Sequence, residues 1–273
     1  MNEYPNADLA LVRRLERAEA TANAAFVEAR AVVAPKVGAA WIDVAGVYAM
    51  FDGVGSPITQ TFGLGLFADC LEPEFDRLEA FFDAFGSATV HEVSSFAPDA
   101  TTALLRSRGY APIEESVVLV RPTAVDVAPS TSLVTVRHLG IGDRASWAQL
   151  SADGWRSEGE GVADFLNAFG LIMTRARGIE CFVAEVNGEP IATAAMSLAT
   201  NVALLAGAST IPTGRRQGAQ RALLDARLTY AAAAPIDLAM IVTHPSSGSQ
   251  RNAERRGFRP VYTRTKWERP HAR

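Results

Sequence analysis

The spacing of apolar positions predicts the elements of the first half of the chain. Near the start, apolar residues recur at the 3.6-residue spacing of an amphipathic helix: Leu11, Leu15, Ala18, Ala22, Phe26 and Ala29. Strands are predicted at 41–44, 46–51 and 57–65. The next helix buries an aromatic-rich stripe made of Phe75, Leu78, Phe82 and Phe85. This half therefore mixes helices with short strands.

The second half begins with the alternating strand "LVTVRHL" at 133–139. Asp143 is the predicted N-cap of a helix through Ala152, and a further helix covers 162–175. Asn187-Gly188 is a strong hairpin signal between two strands, and "VALLAGAST" is a third strand in that series. A further helix follows, with Leu223, Leu224 and Leu228 on its buried side. After it comes the buried strand "IDLAMIVTH".

Two segments of the chain resemble each other. They are "SSFAPDATTALLRSRGYAPIEESVVLVRP" at 94–122 and "VTHPSSGSQRNAERRGFRPVYTRTKWERP" at 242–270. The motif Arg-Gly-aromatic occurs at Gly109 and again at Gly257, 148 positions later. The dipeptide Arg-Pro occurs at Pro122 and again at Pro270, with the same shift. Each segment predicts the end of a strand, a helix and a second strand, so we infer two copies of one unit.

Between the copies lies a stretch rich in Pro, Ser and Thr, which predicts a linker at 123–132. The predicted domains are therefore residues 1–122 and residues 133–273.

Composition narrows the classes of function. The chain is 48% hydrophobic and 21% charged with a net charge of −4, which suits a globular protein without a general affinity for nucleic acid. Cys70 and Cys181 are too few and too far apart for a disulfide framework or a metal site. No apolar run is long enough to span a membrane and the first residues are polar, so a cytoplasmic location is expected.

The stretch "TIPTGRRQGAQRALLDARL" at 210–228 opens a predicted helix with two arginines. The first amides of a helix lack internal partners and its dipole favours an anion at this end. Arg215 and Arg216, together with the small Gly218, therefore predict a pocket for phosphate or pyrophosphate. The alternative is that both arginines are solvated loop residues and Gly218 is only a turn.

The loop resembles the Gln/Arg-x-x-Gly-x-Gly/Ala motif of the GNAT superfamily, the acetyl-CoA-dependent N-acetyltransferases. The resemblance implies an α/β (α+β) fold of two tandem GNAT-like domains, each a mixed, largely antiparallel sheet flanked by helices. It implies that acetyl-CoA is a co-substrate, with its pyrophosphate on the loop and its pantetheine arm along the preceding strand. The CoA-binding residues implied in this way are Ala208, Ser209, Thr210, Arg215, Arg216, Gln217, Gly218, Ala219 and Gln220, with Ser246 and Ser249.

The sequence departs from the family at several positions. The last loop position is Gln220 rather than Gly or Ala, and Ser246 replaces an asparagine that often contacts CoA. Ala253 stands where the family commonly has a tyrosine that acts as the general acid. In the first copy, the shift of 148 places Phe67-Ala68-Asp69-Cys70 opposite Arg215–Gly218, so this degenerate copy is not expected to hold a pyrophosphate.

Candidates for the chemistry lie near the predicted strand ends. His244 follows a buried strand, and an imidazole is a suitable general base for the attacking amine. The alternative is a histidine that caps the strand end and is hydrogen-bonded to the backbone. A backbone N–H near 209–211 could stabilise an oxyanion. Glu158 and Glu160 could meet a cationic substrate or simply be solvated. Ser246 and Ser249 are expected to cap the last helix and contact CoA.

These features lead to one preferred function and two alternatives. The preferred one is an N-acetyltransferase that acts on a small amine, a peptide amine or an antibiotic, and a homodimer is a possible assembly. The missing tyrosine favours a non-catalytic acyl-CoA-binding or sensor protein instead. A third alternative, a structural double domain without a ligand, is disfavoured by the loop at 215–220, which we call the arginine loop.

Overall fold

The computed structural model describes residues 4–69, 71–123, 133–234 and 236–271. Its contacts group the chain into two compact units. We call Pro122–Ala239 the central unit, and Tyr4–Arg121 together with Met240–Arg273 the split unit. Most of the linker predicted at 123–132 lies outside the described residues. The predicted boundaries of 1–122 and 133–273 stay a prediction, because they follow the sequence repeat whereas the units follow spatial contacts.

Helices and strands alternate along the chain. In order they are α1 (Leu9–Val33), β1 (Ala40–Val44), β2 (Val47–Phe51), β3 (Gln60–Phe62), α2 (Glu72–Asp83), β4 (Thr89–Ser94), α3 (Asp99–Ser107), β5 (Ala111–Pro122), β6 (Val134–His138), α4 (Arg144–Asp153), α5 (Glu160–Met173), β7 (Ile179–Val186), β8 (Glu189–Ala199), β9 (Val202–Thr210), α6 (Ala219–Ala233), β10 (Leu238–Thr243), α7 (Gly248–Glu254) and β11 (Arg259–Arg269). Along β10 the chain passes from the central unit back to the split unit.

The sheet of the split unit has the strand order β1-β2-β3-β4-β11-β5. Its pairs are antiparallel except for β3 with β4, which are parallel. The last strand of the chain, β11, therefore lies between two strands from the first half. Large apolar residues of this unit, among them Phe75, Leu78, Phe82 and Trp267, form one core cluster.

In the central unit, β6, β7, β8 and β9 form consecutive antiparallel pairs. The β7–β8 turn is Asn187-Gly188, and both residues have positive φ, as a two-residue hairpin of this type requires. Helix α6 packs against these four strands, and α4 packs against β8 and β9. Trp147 of α4 is buried with Cys181, Val183 and Ala195. This scaffold fixes the position of the β9–α6 connection.

The predicted fold class is confirmed, since each sheet is mostly antiparallel and flanked by helices. Three local expectations differ in detail. The third strand is limited to Gln60–Phe62, and Phe85 lies beyond the end of α2, where it stacks on Phe51. Asp143 occupies the N-cap of α4 without a capping bond, because its carboxylate pairs with Arg137 at 2.6 Å. Among the described residues, no helix is long and apolar enough to cross a membrane.

Candidate functional site

The connection from β9 to α6 forms the start of the candidate site. A short 3₁₀ turn at Pro212–Gly214 follows β9, and Gly218 is the N-cap of α6. Gly218 has a φ of 86°, in the left-handed region that disfavours residues with a Cβ. It provides no side chain to cap the helix, and the first turn of α6 has no acidic residue. The first amides of α6 are therefore available to an external anion.

A pocket of about 460 Å³ opens at this helix end, inside the central unit. Residues from β9, from the loop, from the first turn of α6 and from the connection between α4 and α5 line it: Gly154, Trp155, Glu158, Ala208, Ser209, Thr210, Gly214, Arg215, Arg216, Gly218, Ala219, Gln220 and Arg221. Eight of the predicted CoA-binding residues are in this lining. Gln217 is not, and its side chain donates instead to the carbonyl of Thr213 at 2.9 Å.

Arg215 joins the loop to the end of α4. Its guanidinium donates to the carbonyl of Gly154 at 3.1 Å. Gly154 packs so closely on β9 that an added Cβ would lie 2.0 Å from the hydroxyl of Ser209 and 3.1 Å from the backbone N of Thr210. A glycine is thus required where α4 ends, and this contact brings the wall of the pocket against the strand.

Two side chains of β9 differ in their hydrogen bonding. The Ser209 hydroxyl donates to the Ser151 carbonyl at 2.7 Å, so it is already used within the protein. The Thr210 hydroxyl is buried and has no hydrogen-bond partner among the described residues. Because Thr210 lines the pocket, its hydroxyl is a candidate contact for a polar group of the ligand.

Strand β9 has an irregularity, which lies just before Ser209. Ser209 and Thr210 keep their register with Thr193 and Ala192, whereas a register shift separates the Ser209 pair from the Ala195–Ala206 pair. Gly207, within the shift, has a φ of 60°. The strand therefore bulges at 207–208, just before the 209–211 segment in which the sequence placed the candidate N–H for the oxyanion. A bulge re-aims the backbone groups of the bulged strand.

The charge of the pocket suits an anionic ligand. Arg215, Arg216 and Arg221 are among the lining residues, together with the carboxylate of Glu158. Arg216 is exposed and adopts a left-handed φ of 64°. Guanidinium groups beside helix amides bind phosphate oxygens strongly. The arrangement can therefore hold a diphosphate while Ala208–Thr210 borders an extended chain.

The remaining predicted residues lie in the split unit. His244 follows β10; its side chain is 70% exposed, and its Nδ1 lies 3.8 Å from a carboxylate oxygen of Glu114. The expectation that Ser246 and Ser249 cap the last helix is wrong, because Ser247 is the N-cap of α7 and accepts from the Gln250 amide. The φ of 57° at Ser246 turns the chain into this cap. Their predicted contact with CoA stays a prediction, as does the role of His244.

The corresponding segment of the first copy is filled by protein. A Cβ added at Gly46 or Gly63 would lie 2.5 or 2.8 Å from the Phe67 side chain. The guanidinium of Arg17 lies 4.1 Å from the centre of the same ring. Phe67 occupies the position that aligns with Arg215, so an aromatic side chain packs there in place of a cation. Cys70 lies outside the described residues.

Sequence reasoning missed part of the pocket wall. It did not assign Gly154, Trp155, Gly214 or Arg221 to the binding site. The available signal was the Asp-Gly-Trp stop after α4, which places a glycine next to an aromatic residue. Gly214 is required because an added Cβ would lie 2.7 Å from Ile191 of β8. Such contacts depend on the tertiary fold and not on local pattern.

Comparison with known proteins connects this geometry to a family. Residues 145–258 match the model of the acetyltransferase (GNAT) family. No curated protein sequence matches the chain. A GCN5-related N-acetyltransferase from Kribbella flavida is similar in structure at 17% identity, with a TM-score of 0.61, covering 91% of this chain and 96% of that one.

Two further solved structures are similar. A tandem GNAT protein from the clavulanic acid biosynthesis pathway has 11% identity and a TM-score of 0.58, covering 83% of this chain and 79% of that one. A GCN5-related N-acetyltransferase from Sphaerobacter thermophilus has 12% identity and a TM-score of 0.56, covering 82% of this chain and 76% of that one. At these identities the likeness establishes the fold.

The matched segment contains β9, the arginine loop and α6, which form the pocket. Residues 145–258, which match the model of the acetyltransferase (GNAT) family, therefore include the pocket. The chain as a whole has the fold of tandem GNAT proteins.

Proposed function

We propose that this chain is an acetyl-CoA-dependent N-acetyltransferase that transfers the acetyl group from the thioester directly to an amine. The observation that carries the proposal is the pocket at the start of α6. There Gly218 leaves the helix amides uncapped, and Arg215, Arg216 and Arg221 supply positive charge. The diphosphate of CoA has the charge and the oxygen atoms that such a pocket binds.

The pocket residues divide into two groups by chemistry. The amides of Gly218–Arg221 and the arginines would hold the diphosphate. Ala208–Thr210 of β9 would run beside the pantetheine arm, where the buried Thr210 hydroxyl can bond one of its amide groups. Arg215 would bind the diphosphate from a fixed position, because its hydrogen bond to the Gly154 carbonyl holds its guanidinium against the end of α4.

The reaction requires a free amine, a polarised thioester and a leaving thiolate. The amine nitrogen attacks the carbonyl carbon, the C–N bond forms, and the carbonyl electrons move to oxygen. As this oxyanion collapses, the C–S bond breaks and the CoA thiolate takes up a proton. A backbone N–H of the bulged β9 strand is the group that would stabilise the oxyanion.

Two proton transfers accompany the reaction: the amine loses a proton and the thiolate gains one. Ala253 is buried on α7 and has no acidic group, so the thiolate would receive its proton from solvent or from the protonated nitrogen of the tetrahedral intermediate, which becomes the amide. His244 is the predicted base. Its replacement by glutamine is expected to slow turnover at neutral pH without changing acetyl-CoA binding.

The acceptor is a small amine, a peptide amine or an antibiotic, and the cytoplasmic location stays a prediction.

A non-catalytic acyl-CoA-binding protein is the second candidate. The specific observation in its favour is Ala253 at the position of the family's acid. Both candidates require acetyl-CoA binding, which should raise the free energy of unfolding by about 2.7 kcal/mol at a hundredfold excess over Kd.

The two candidates separate when thiol release is measured. Purified protein is incubated with acetyl-CoA and a panel of amines that includes polyamines, amino-acid amides, short peptides and aminoglycosides. Amine-dependent release of free CoA supports the acetyltransferase. Thermal stabilisation by acetyl-CoA without release across the panel would favour the binding protein, and absence of both effects would overturn the proposal.

A further inference from the structure

Helix α6 carries a buried arginine that has no role in the proposed binding of CoA. Arg227 is 5% exposed. Its guanidinium donates to the carbonyl of Ala195 on β8 at 2.9 Å and to that of Ala206 on β9 at 3.2 Å. Its Nε donates to the Leu223 carbonyl within its own helix at 3.2 Å. The partners given by the structure are thus neutral carbonyls, two of them on neighbouring strands.

The two strand carbonyls mark the edge of the β9 bulge. Ala195 and Ala206 are the last paired residues before the register shift, and Gly207 with its φ of 60° follows directly. An added Cβ at Gly207 would lie 3.3 Å from the sulfur of Met173, so glycine suits this position on both conformational and steric grounds. Ala208, the next residue, lines the pocket.

A fixed carbonyl also fixes the N–H of the same peptide. In a planar trans peptide, the oxygen of one residue and the hydrogen of the next point in opposite directions. Because Arg227 binds the Ala206 carbonyl, it also constrains the direction of the Gly207 N–H. Its direction is set by a side chain as well as by the strand ladder.

The charge of Arg227 matters as much as its hydrogen bonds. Burial lowers the pKa of Arg227 to about 10, so the side chain is still protonated at neutral pH. A positive charge in a poorly solvated environment acts more strongly on nearby groups than the same charge in water. Here that charge lies one peptide away from the bulge beside the pocket.

We propose that Arg227 is a positioning residue for acyl transfer. It orients the Ala206–Gly207 peptide so that the Gly207 N–H binds the thioester oxygen, and its charge favours the oxyanion that forms when the amine attacks. This inference rests on the proposed function. A purely structural arginine would only attach α6 to β8 and β9.

The test uses the thioester carbonyl as a reporter that needs no acceptor amine. Acetyl-CoA labelled with ¹³C at the carbonyl is bound to the wild type, Arg227→Met and Arg227→Lys, and the carbonyl chemical shift is compared with that of the free compound. We expect a downfield shift in the wild type that falls by at least about half in Arg227→Met. Arg227→Lys keeps the charge with fewer donors and should lie between them, and it replaces the Met variant if that variant does not fold.

Kinetics provide the second readout, with the amine that the panel identifies. Loss of oxyanion stabilisation should reduce kcat by about 10-fold or more while KM for acetyl-CoA changes by less than about threefold. Leu228→Ala is the matched control, because it truncates the next buried side chain of α6 and leaves the bonds of Arg227 to Ala195 and Ala206 in place. Its kcat and carbonyl shift should stay near those of the wild type.

The outcomes distinguish this inference from the proposed function. A wild type that does not bind acetyl-CoA overturns both. If the wild type binds acetyl-CoA and acetylates the amine, and Arg227→Met has the same carbonyl shift and kcat, only the role of Arg227 is overturned. An equal loss in Leu228→Ala would also overturn it, because the effect would then be general destabilisation.

Discussion

Ser116 of β5 and Arg264 of β11 face each other in the antiparallel ladder, and they are 148 positions apart, as are the two copies of the sequence repeat. The pairs on either side obey the same symmetry, with Glu115 opposite Thr265 and Val117 opposite Thr263. A local two-fold axis therefore passes between Ser116 and Arg264. Equivalent strands of the two copies pair with each other, and β11 becomes part of the split unit.

Arg264 secures this strand to α1. Its guanidinium pairs with Glu16 and with Glu19, both at 2.6 Å, and the Tyr262 hydroxyl also donates to Glu16. Arg264→Leu leaves the buried Glu16 carboxylate without its main partner, so we expect a loss of roughly 3–5 kcal/mol in the free energy of unfolding. Urea unfolding followed by circular dichroism measures this change.

The double variant Glu16→Leu with Arg264→Leu is the control for the buried ion pair. Removing both charges removes the unpaired carboxylate, and the double variant should recover at least about 2 kcal/mol relative to Arg264→Leu. If the double variant is less stable than Arg264→Leu, the pair does not stabilise β11 through its charges.

The second buried arginine, Arg227, is expected to behave differently. The structure gives Arg227 carbonyl partners, so its removal leaves no carboxylate uncompensated. Burial of the charge, which lowers its pKa to about 10, costs about 3 kcal/mol, and this offsets the lost hydrogen bonds. Arg227→Met should therefore change the free energy of unfolding by less than about 1.5 kcal/mol, as measured by urea unfolding beside Arg264→Leu. A loss as large as that of Arg264→Leu would show that Arg227 is mainly structural.

His91 predicts a pH dependence of stability. It is buried on β4 with Nδ1 2.7 Å from the Thr61 hydroxyl, and burial, aided by the charge of Arg269, lowers its pKa to about 3. Its unfolded pKa is near 6.5, so below that pH the unfolded chain binds a proton that the folded protein does not. The His91 contribution to stability is therefore present above pH 6.5 and is lost as the pH falls towards 3.

The change can be measured against a variant without the imidazole. Between pH 7 and pH 4.5, His91 should remove roughly 3 kcal/mol from the free energy of unfolding. In His91→Gln this part of the slope should vanish, while the contributions of the carboxyl groups remain. Equal slopes for the wild type and the variant in urea unfolding at several pH values would contradict the buried, neutral state of His91.

Local patterns predicted the elements better than their pairing. The periodicity from Leu11 to Ala29 predicts α1, and Asn187-Gly188 predicts the β7–β8 turn, because both signals depend on neighbours in sequence. The insertion of β11 between β4 and β5 pairs residues that are 139 to 180 positions apart, and no local pattern encodes it.

The candidate site shows the same division. The sequence predicts an anion site at the arginine loop and Gly218 because the start of a helix has a characteristic local pattern. Three nearby serines satisfy the capping preference of α7 equally well, and the backbone at Ser246 selects Ser247. Gly154 belongs to the pocket only because α4 ends against β9. That contact follows from helix packing and not from the residues beside it in sequence.

The central claim is that the amides at the start of α6 bind the diphosphate of acetyl-CoA. Gly218→Val tests it, because a Cβ is strained at a φ of 86° and the side chain would enter the space beside those amides. Asp69→Ala is the matched control, since Asp69 aligns with Gln217 in the degenerate copy.

Isothermal titration of acetyl-CoA into the wild type and both variants, each shown to be folded by circular dichroism, is the most direct measurement. We predict equal Kd values for the wild type and Asp69→Ala, and binding weakened by about 100-fold, or about 2.7 kcal/mol, in Gly218→Val. Undiminished binding by Gly218→Val, or a loss of binding in Asp69→Ala alone, would contradict the claim.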